Sequence, residues 1–166
     1  MLRLSKRSDY ALLALRHLAT QGRQADASAA TASARELAER FDIPLELLAK
    51  VLQRLVREGL LVSHQGIKGG YMLARPAEAI SVADILVAVD GPLTVTACSN
   101  EDSSCEQYHK CNIRDPLWRL KDRIVETLTS CSLAELAADP PPAPAGAIQM
   151  NFGNPGSRAP RVESRS

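Results

Sequence analysis

Residues 33–59 read SARELAERFDIPLELLAKVLQRLVREG, and the two helices and the break encoded there decide the fold. Ser33 followed three residues later by Glu36 is a capping box, in which hydroxyl and carboxylate each satisfy a backbone N–H at the other's position. It opens a short helix with Leu37, Ala38 and Phe41 turned inward. Asp42-Ile43-Pro44 breaks that helix, and Pro44 suits the first turn of the next, where an N–H would go unpaired in any case. From Pro44 to about Glu58 apolar residues recur at Leu45, Leu48, Leu52 and Leu55, one inward stripe that stops at Gly59. The outer face carries Glu46, Lys50, Gln53, Arg54 and Arg57.

On the C-terminal side, Leu60-Leu61-Val62-Ser63 and Tyr71-Met72-Leu73-Ala74 are strand-like runs enclosing a Gly-rich connection, His64 to Gly70. On the N-terminal side, Leu4 to about Gln21 is rich in Leu and Ala and predicts a buried helix stopping at Gly22, followed by a loop of small residues over 22–32. Helix, short helix, turn, helix, hairpin is the order of a winged helix-turn-helix: mainly α, with a small β-hairpin wing. The second helix of such a pair enters the major groove, which brings Glu46, Leu47 and Lys50 near base edges and Arg54 near phosphate. Lys68 with the backbone of Gly69 and Gly70 fits a wing on the groove or the sugar-phosphate chain, and Lys6 and Arg7 add candidate phosphate contacts. Taken singly, each of these charges is an ordinary surface residue; only the ordered set points to nucleic acid.

The rest of the chain has a different character. Net charge is +1 over 166 residues, but residues 1–75 hold 12 Lys/Arg against 7 Asp/Glu and residues 76–138 hold 5 against 10. A basic front joined to an acidic rear suits a polyanion partner for the front only. Ser81 with Asp84 caps a brief helix closed by Gly91-Pro92, and Leu93 to Ile113 has no periodicity. Asp115 as N-cap and Pro116 then open a long helix striped by Leu117, Leu120, Ile124, Leu128 and Cys131, and a short piece, Ser132 to Ala138, ends the patterned sequence. The division is a DNA-binding domain over 1–76, a loop and long helix over 77–138, and a tail over 139–166. Six of the ten prolines fall in that tail, which is expected to be disordered. No run approaches the roughly 18 apolar residues of a membrane span, no secretory signal follows the N-terminal cations, and a cytoplasmic location is expected. With three His, no nucleotide-binding glycine fingerprint and no evident carboxylate pair, an enzyme or electron carrier is disfavoured.

Three of the four cysteines, Cys98, Cys105 and Cys111, lie in the unpatterned polar stretch. Iron and zinc both bind thiolate, and a polar loop lets three sulfurs converge without helix geometry forcing them apart. A cytoplasmic setting disfavours the disulfide alternative. His109 could supply a fourth ligand or be a solvated surface residue, and Cys131 reads as a core or interface thiol.

Leu4-Ser5-Lys6, Asp9-Tyr10-Ala11-Leu12, Glu36-Leu37-Ala38-Glu39, Arg54-Leu55, Gly59-Leu60-Leu61, Gly69 to Ala74, Ile85 to Gly91 and the three cysteines followed by Trp118 together resemble the Rrf-two family of bacterial winged-helix regulators. The resemblance covers about residues 2–138. It implies a homodimer that pairs its long C-terminal helices, and a palindromic promoter operator in double-stranded DNA. It also implies a sensor-repressor that carries an iron–sulfur cluster on Cys98, Cys105 and Cys111, 2Fe-2S in preference to 4Fe-4S. In one branch a His follows the third Cys by three residues, but Arg114 stands there in this chain. In another branch a carboxylate from the partner's first helix completes the set; Asp9 matches that position and is preferred to His109. The spacing and Trp118 resemble regulators of iron–sulfur assembly genes more than nitric-oxide sensors.

Overall fold

A computed structural model of the chain describes residues 4–24, 31–66, 69–93 and 110–138. Its elements are α1 (Lys6–Gln24), α2 (Ala34–Phe41), α3 (Leu45–Arg57), β1 (Leu61–His64), β2 (Gly70–Leu73), a 3-10 turn (Ala77–Ala79), α4 (Val82–Asp90), α5 (Arg114–Ser130) and α6 (Leu133–Ala137). This is the mainly helical, winged arrangement expected, with β1 and β2 antiparallel and Leu61 opposite Leu73. Among the described residues no helix is long and apolar enough to cross a membrane.

Local chemistry explains the boundaries. The Ser33–Glu36 box closes on both sides, Ser33 N–H to Glu36 at 2.7 Å and Glu36 N–H to Ser33 Oγ at 3.2 Å. The same device opens α4 at Ser81 and α6 at Ser132. Gly59 follows α3 with φ of 70°, a left-handed turn that a side chain would strain. Gly70 is required for a different reason: a Cβ there would lie 2.8 Å from the carbonyl of Ala32, whose N–H and C=O both bond Tyr71 and stitch the wing to the residue pair ahead of α2.

Three boundaries differ from expectation. α1 runs through Gly22 to Gln24; a glycine costs a helix only about 1 kcal/mol, and buried Leu15, Leu18 and Ala19 hold the helix in place just before it. α5 begins one residue before Asp115, because Ile113 already has helical backbone angles and takes the N-cap place. Cys131 is extended and ends α5 rather than extending its stripe.

The core crosses residue 76. Leu15 and Leu18 of α1, Leu37 of α2, Leu48, Leu52 and Leu55 of α3, and Leu60 pack in one cluster with Ile80, Ile85, Val89 and Leu133. α6 returns to α1, where Arg16 Nε donates to the Leu136 carbonyl at 2.8 Å, and the Leu133 N–H donates to Ile80 at 2.8 Å. The rear of the chain therefore completes the core of the front.

Candidate nucleic-acid interface and thiol-bearing loop

α3 divides cleanly into two faces. Leu48, Val51, Leu52 and Leu55 are buried, while Glu46, Lys50, Gln53 and Arg57 are exposed. Leu47, an apolar residue, is 48% exposed beside Glu46. Such a side chain facing water next to an acceptor and an ammonium suits base edges, since apolar contact reads a thymine methyl, a carboxylate accepts from cytosine and a lysine donates to guanine. Arg54 is differently engaged: its Nε donates to the Ala88 carbonyl of α4 at 2.6 Å. A guanidinium has five N–H donors, so four are left for other partners.

The remaining expected contacts fall at two places. Lys6 and Arg7 are exposed in the first turn of α1, and Arg7 reaches Asp90 at 3.4 Å. In the wing, the Gly69 N–H donates to Gly66 at 2.9 Å, closing the turn, and both Gly69 and Gly70 are half-buried. The glycines thus serve turn closure and the approach to Ala32 before any contact with a partner. Lys68 lies outside the described residues.

Of the thiol-bearing stretch, Cys98, Cys105 and His109 also lie outside the described residues. Cys111 is half-buried, three positions ahead of α5. Arg114, the first residue of α5, donates from Nε to Asp115 at 2.8 Å. Cys131 is half-buried, and its carbonyl accepts from the Val82 N–H at 2.9 Å. Among the described residues no three His, Cys, Asp or Glu side chains gather as a metal site. Asp9, in the first turn of α1, is half-buried and borders a cavity of about 340 Å³ with Leu4, Ser5, Lys6 and Asp90.

The sequence reading missed the joint beside that cavity. Asp90, the last residue of α4, accepts from Ser5 Oγ at 2.8 Å and from Ser8 Oγ at 2.7 Å, and Ser8 is fully buried. Ser8 N–H in turn donates to Ser5 Oγ at 3.1 Å. Partial desolvation works against ionisation of Asp90, but the two hydroxyls and the charges of Arg7 and Arg54 outweigh it and hold the carboxyl below its ordinary value. The Ser5-x-x-Ser8 spacing was the available signal for the α1 end of this joint; nothing local pointed to its partner more than 80 residues away.

Comparisons with known proteins agree with this architecture. The family model Rrf2, described as an iron-dependent transcriptional regulator, matches residues 4–139. The HTH-type transcriptional regulator IscR of Photorhabdus laumondii is 34% identical over 136 residues, covering 81% of this chain and 79% of that protein. IscR of Erwinia tasmaniensis is 32% identical, covering 81% and 78%. Among solved structures, CymR, the global cysteine regulator of B. subtilis, superposes with a TM-score of 0.65 at 25% identity, covering 84% of this chain and all of that one. IscR of T. potens gives 0.61 at 26%, covering 81% and 85%.

Proposed function

The chain belongs to the Rrf2 family and is a transcriptional regulator of the IscR type, not an enzyme, and from that premise we propose that it is a cytoplasmic homodimeric repressor that reports iron–sulfur cluster status to a palindromic operator. The observation that carries the reading is that Cys98, Cys105 and Cys111 all fall inside the matched stretch, 4–139. Thiolates are the donors that iron–sulfur clusters take, and half-buried Asp9, bordering its own cavity, is chemically able to complete the set. Those three cysteines with Asp9, in preference to His109, would hold the group, and 2Fe-2S is preferred to 4Fe-4S. When bound, it supplies a redox-active centre whose presence distinguishes two states of the regulator.

The chain's own residues do the rest. Glu46, Leu47 and Lys50 face base edges, while Lys6, Arg7, Arg54, Lys68 and the Gly69-Gly70 backbone position the domain on phosphate and sugar. The dimer places two such readers at a fixed separation, which sets half-site spacing. The likeness to IscR regulators favours iron–sulfur assembly genes as targets.

Anaerobic purification with absorption spectroscopy and iron and sulfide analysis tests the reading. Visible absorbance that Cys98→Ala, Cys105→Ala or Cys111→Ala abolishes is the expected result, and the iron-to-chain ratio separates the two cluster types. A colourless protein carrying zinc or no metal overturns it, leaving a structural loop on a DNA-binding module. Operator affinity should differ between cluster-loaded and cluster-free protein; equal affinities refute sensing. Lys50→Ala should weaken binding, and a phosphate contact by Arg54 should lower the salt slope by about one when removed.

A further inference from the structure

We propose that Asp90 is a positioning residue that locks the start of α1 to the last turn of α4, the turn whose Ala88 carbonyl also holds the reading helix α3 through Arg54, so that movement of the chain leaving α4 reaches both. The inference rests on the cluster-sensing reading for its signal, and on geometry for its linkage. α4 ends at Asp90, Gly91 turns with φ of 87°, and Cys98 follows Asp90 by eight positions. Any strain the cysteine-bearing stretch exerts toward the N-terminus is delivered first to this end of α4.

Two lines leave that point. Ser5 and Ser8 hydroxyls grip the two carboxylate oxygens of Asp90, and Asp9 is the residue after Ser8. Two residues earlier in α4, the Ala88 carbonyl takes Arg54 Nε, and Arg54 stands four residues, about one helical turn, after Lys50. The candidate ligand on α1 and the candidate base reader on α3 are thus referred to the same last turn. α4 does not depend on Asp90 for its docking: six of its nine residues, Val82, Ala83, Ile85, Leu86, Ala88 and Val89, are buried. Asp90 itself stays at the surface, so its contacts orient elements that the core already holds. A two-oxygen acceptor is well suited to this, because it fixes two donors at once and its loss leaves the buried Ser8 hydroxyl without its partner.

The test uses the full chain carrying Asp90→Ala or Asp90→Asn. Asparagine can still accept from one serine and donate to the other, while losing the charge that Arg7 meets. In wild type, operator affinity is measured with and without the cluster. Asp90→Ala is expected to shrink the ratio of those affinities by about tenfold, within the ordinary 5–150-fold range of allosteric coupling, and Asp90→Asn is expected to retain part of it. An unchanged ratio in Asp90→Ala overturns the proposal. A second measurement needs no cluster: amide hydrogen exchange on metal-free protein should accelerate at the start of α1 in Asp90→Ala, with α2 and with α3, which Arg54 still ties to the Ala88 carbonyl, unaffected. Unchanged exchange at the start of α1 overturns it as well. If wild type binds no cluster, the sensing reading fails while the exchange result still decides the joint. Should Asp90→Ala not fold, Ser5→Ala removes one of the two donors and carries the same exchange expectation at smaller size.

Discussion

α3 and α5 are both striped helices, of thirteen and seventeen residues, yet α3 buries four of its side chains and α5 buries none. On α5, Trp118 and Leu120 are 43% and 48% exposed, and Leu117, Ile124 and Leu128 are only partly covered. The difference teaches that the chain stabilises α3 from within and leaves its long rear helix in need of outside cover. A stripe of that composition facing water suits pairing with a second copy, as the proposed homodimer requires.

The largest effect that could break this contrast is in the front. Leu52→Ala should cost about 2–5 kcal/mol of stability, read by urea unfolding of both proteins at one fixed concentration; a loss under about 1 kcal/mol would mean that α3 is not held by its own core. Leu120→Ala is the rear counterpart. It should leave monomer stability nearly unchanged and raise the dimer dissociation constant about tenfold or more, since burying a leucine contributes roughly 1.5–3 kcal/mol. Sedimentation showing an unaltered dimer would remove α5 from the interface. Ser33→Ala and Ser132→Ala each delete a capping hydroxyl, one on either side of the comparison, and each should lower stability by about 1 kcal/mol. Unequal losses would show that one of those helices draws its support from packing alone.

The smallest effects are pH dependences. The Asp90 carboxyl is held below its ordinary value of 3.8, so its contribution is complete above that pH and is lost as acid protonates it in the folded chain. Asp90→Asn should flatten the acid limb of a stability profile, and an identical limb would deny the carboxylate that role. His17, packed edge-on against Phe41, has its value pushed below 6.5 by desolvation first and by Arg40 second, with Glu36 opposing. The unfolded chain then takes the proton more readily, so stability should fall slightly as pH drops below 6.5. His17→Gln should remove that slope, and a slope that survives belongs to another group.

Local signals made much of the fold legible. The Ser33 and Ser81 capping boxes and the paired strand runs state themselves within a few residues, and the structure reproduces them to within a residue or two; of the expected α3 stripe Leu48, Leu52 and Leu55 are buried with Val51, while Leu45, at the helix start, is 42% exposed. What escaped depends on distance. No short-range pattern tells that Arg16 meets the Leu136 carbonyl, that Ser5 and Ser8 meet Asp90, or that Arg54 turns to Ala88, because each partner lies 34 to 120 positions away. The exposed face of α3 was readable from the same stripe that defined its core, read in reverse. The thiol set was readable as composition and spacing, and of its members only Cys111 and Asp9 lie among the described residues.

The return of α6 to α1 has a consequence for how the protein is made. A ribosome makes α3 early, but Leu133, which belongs to the same core as Ile80 and Ile85, is among the last of the described residues to be made. A nascent chain is expected to remain incompletely packed until then, and a product truncated at residue 76 would not become a stable competitor for the operator.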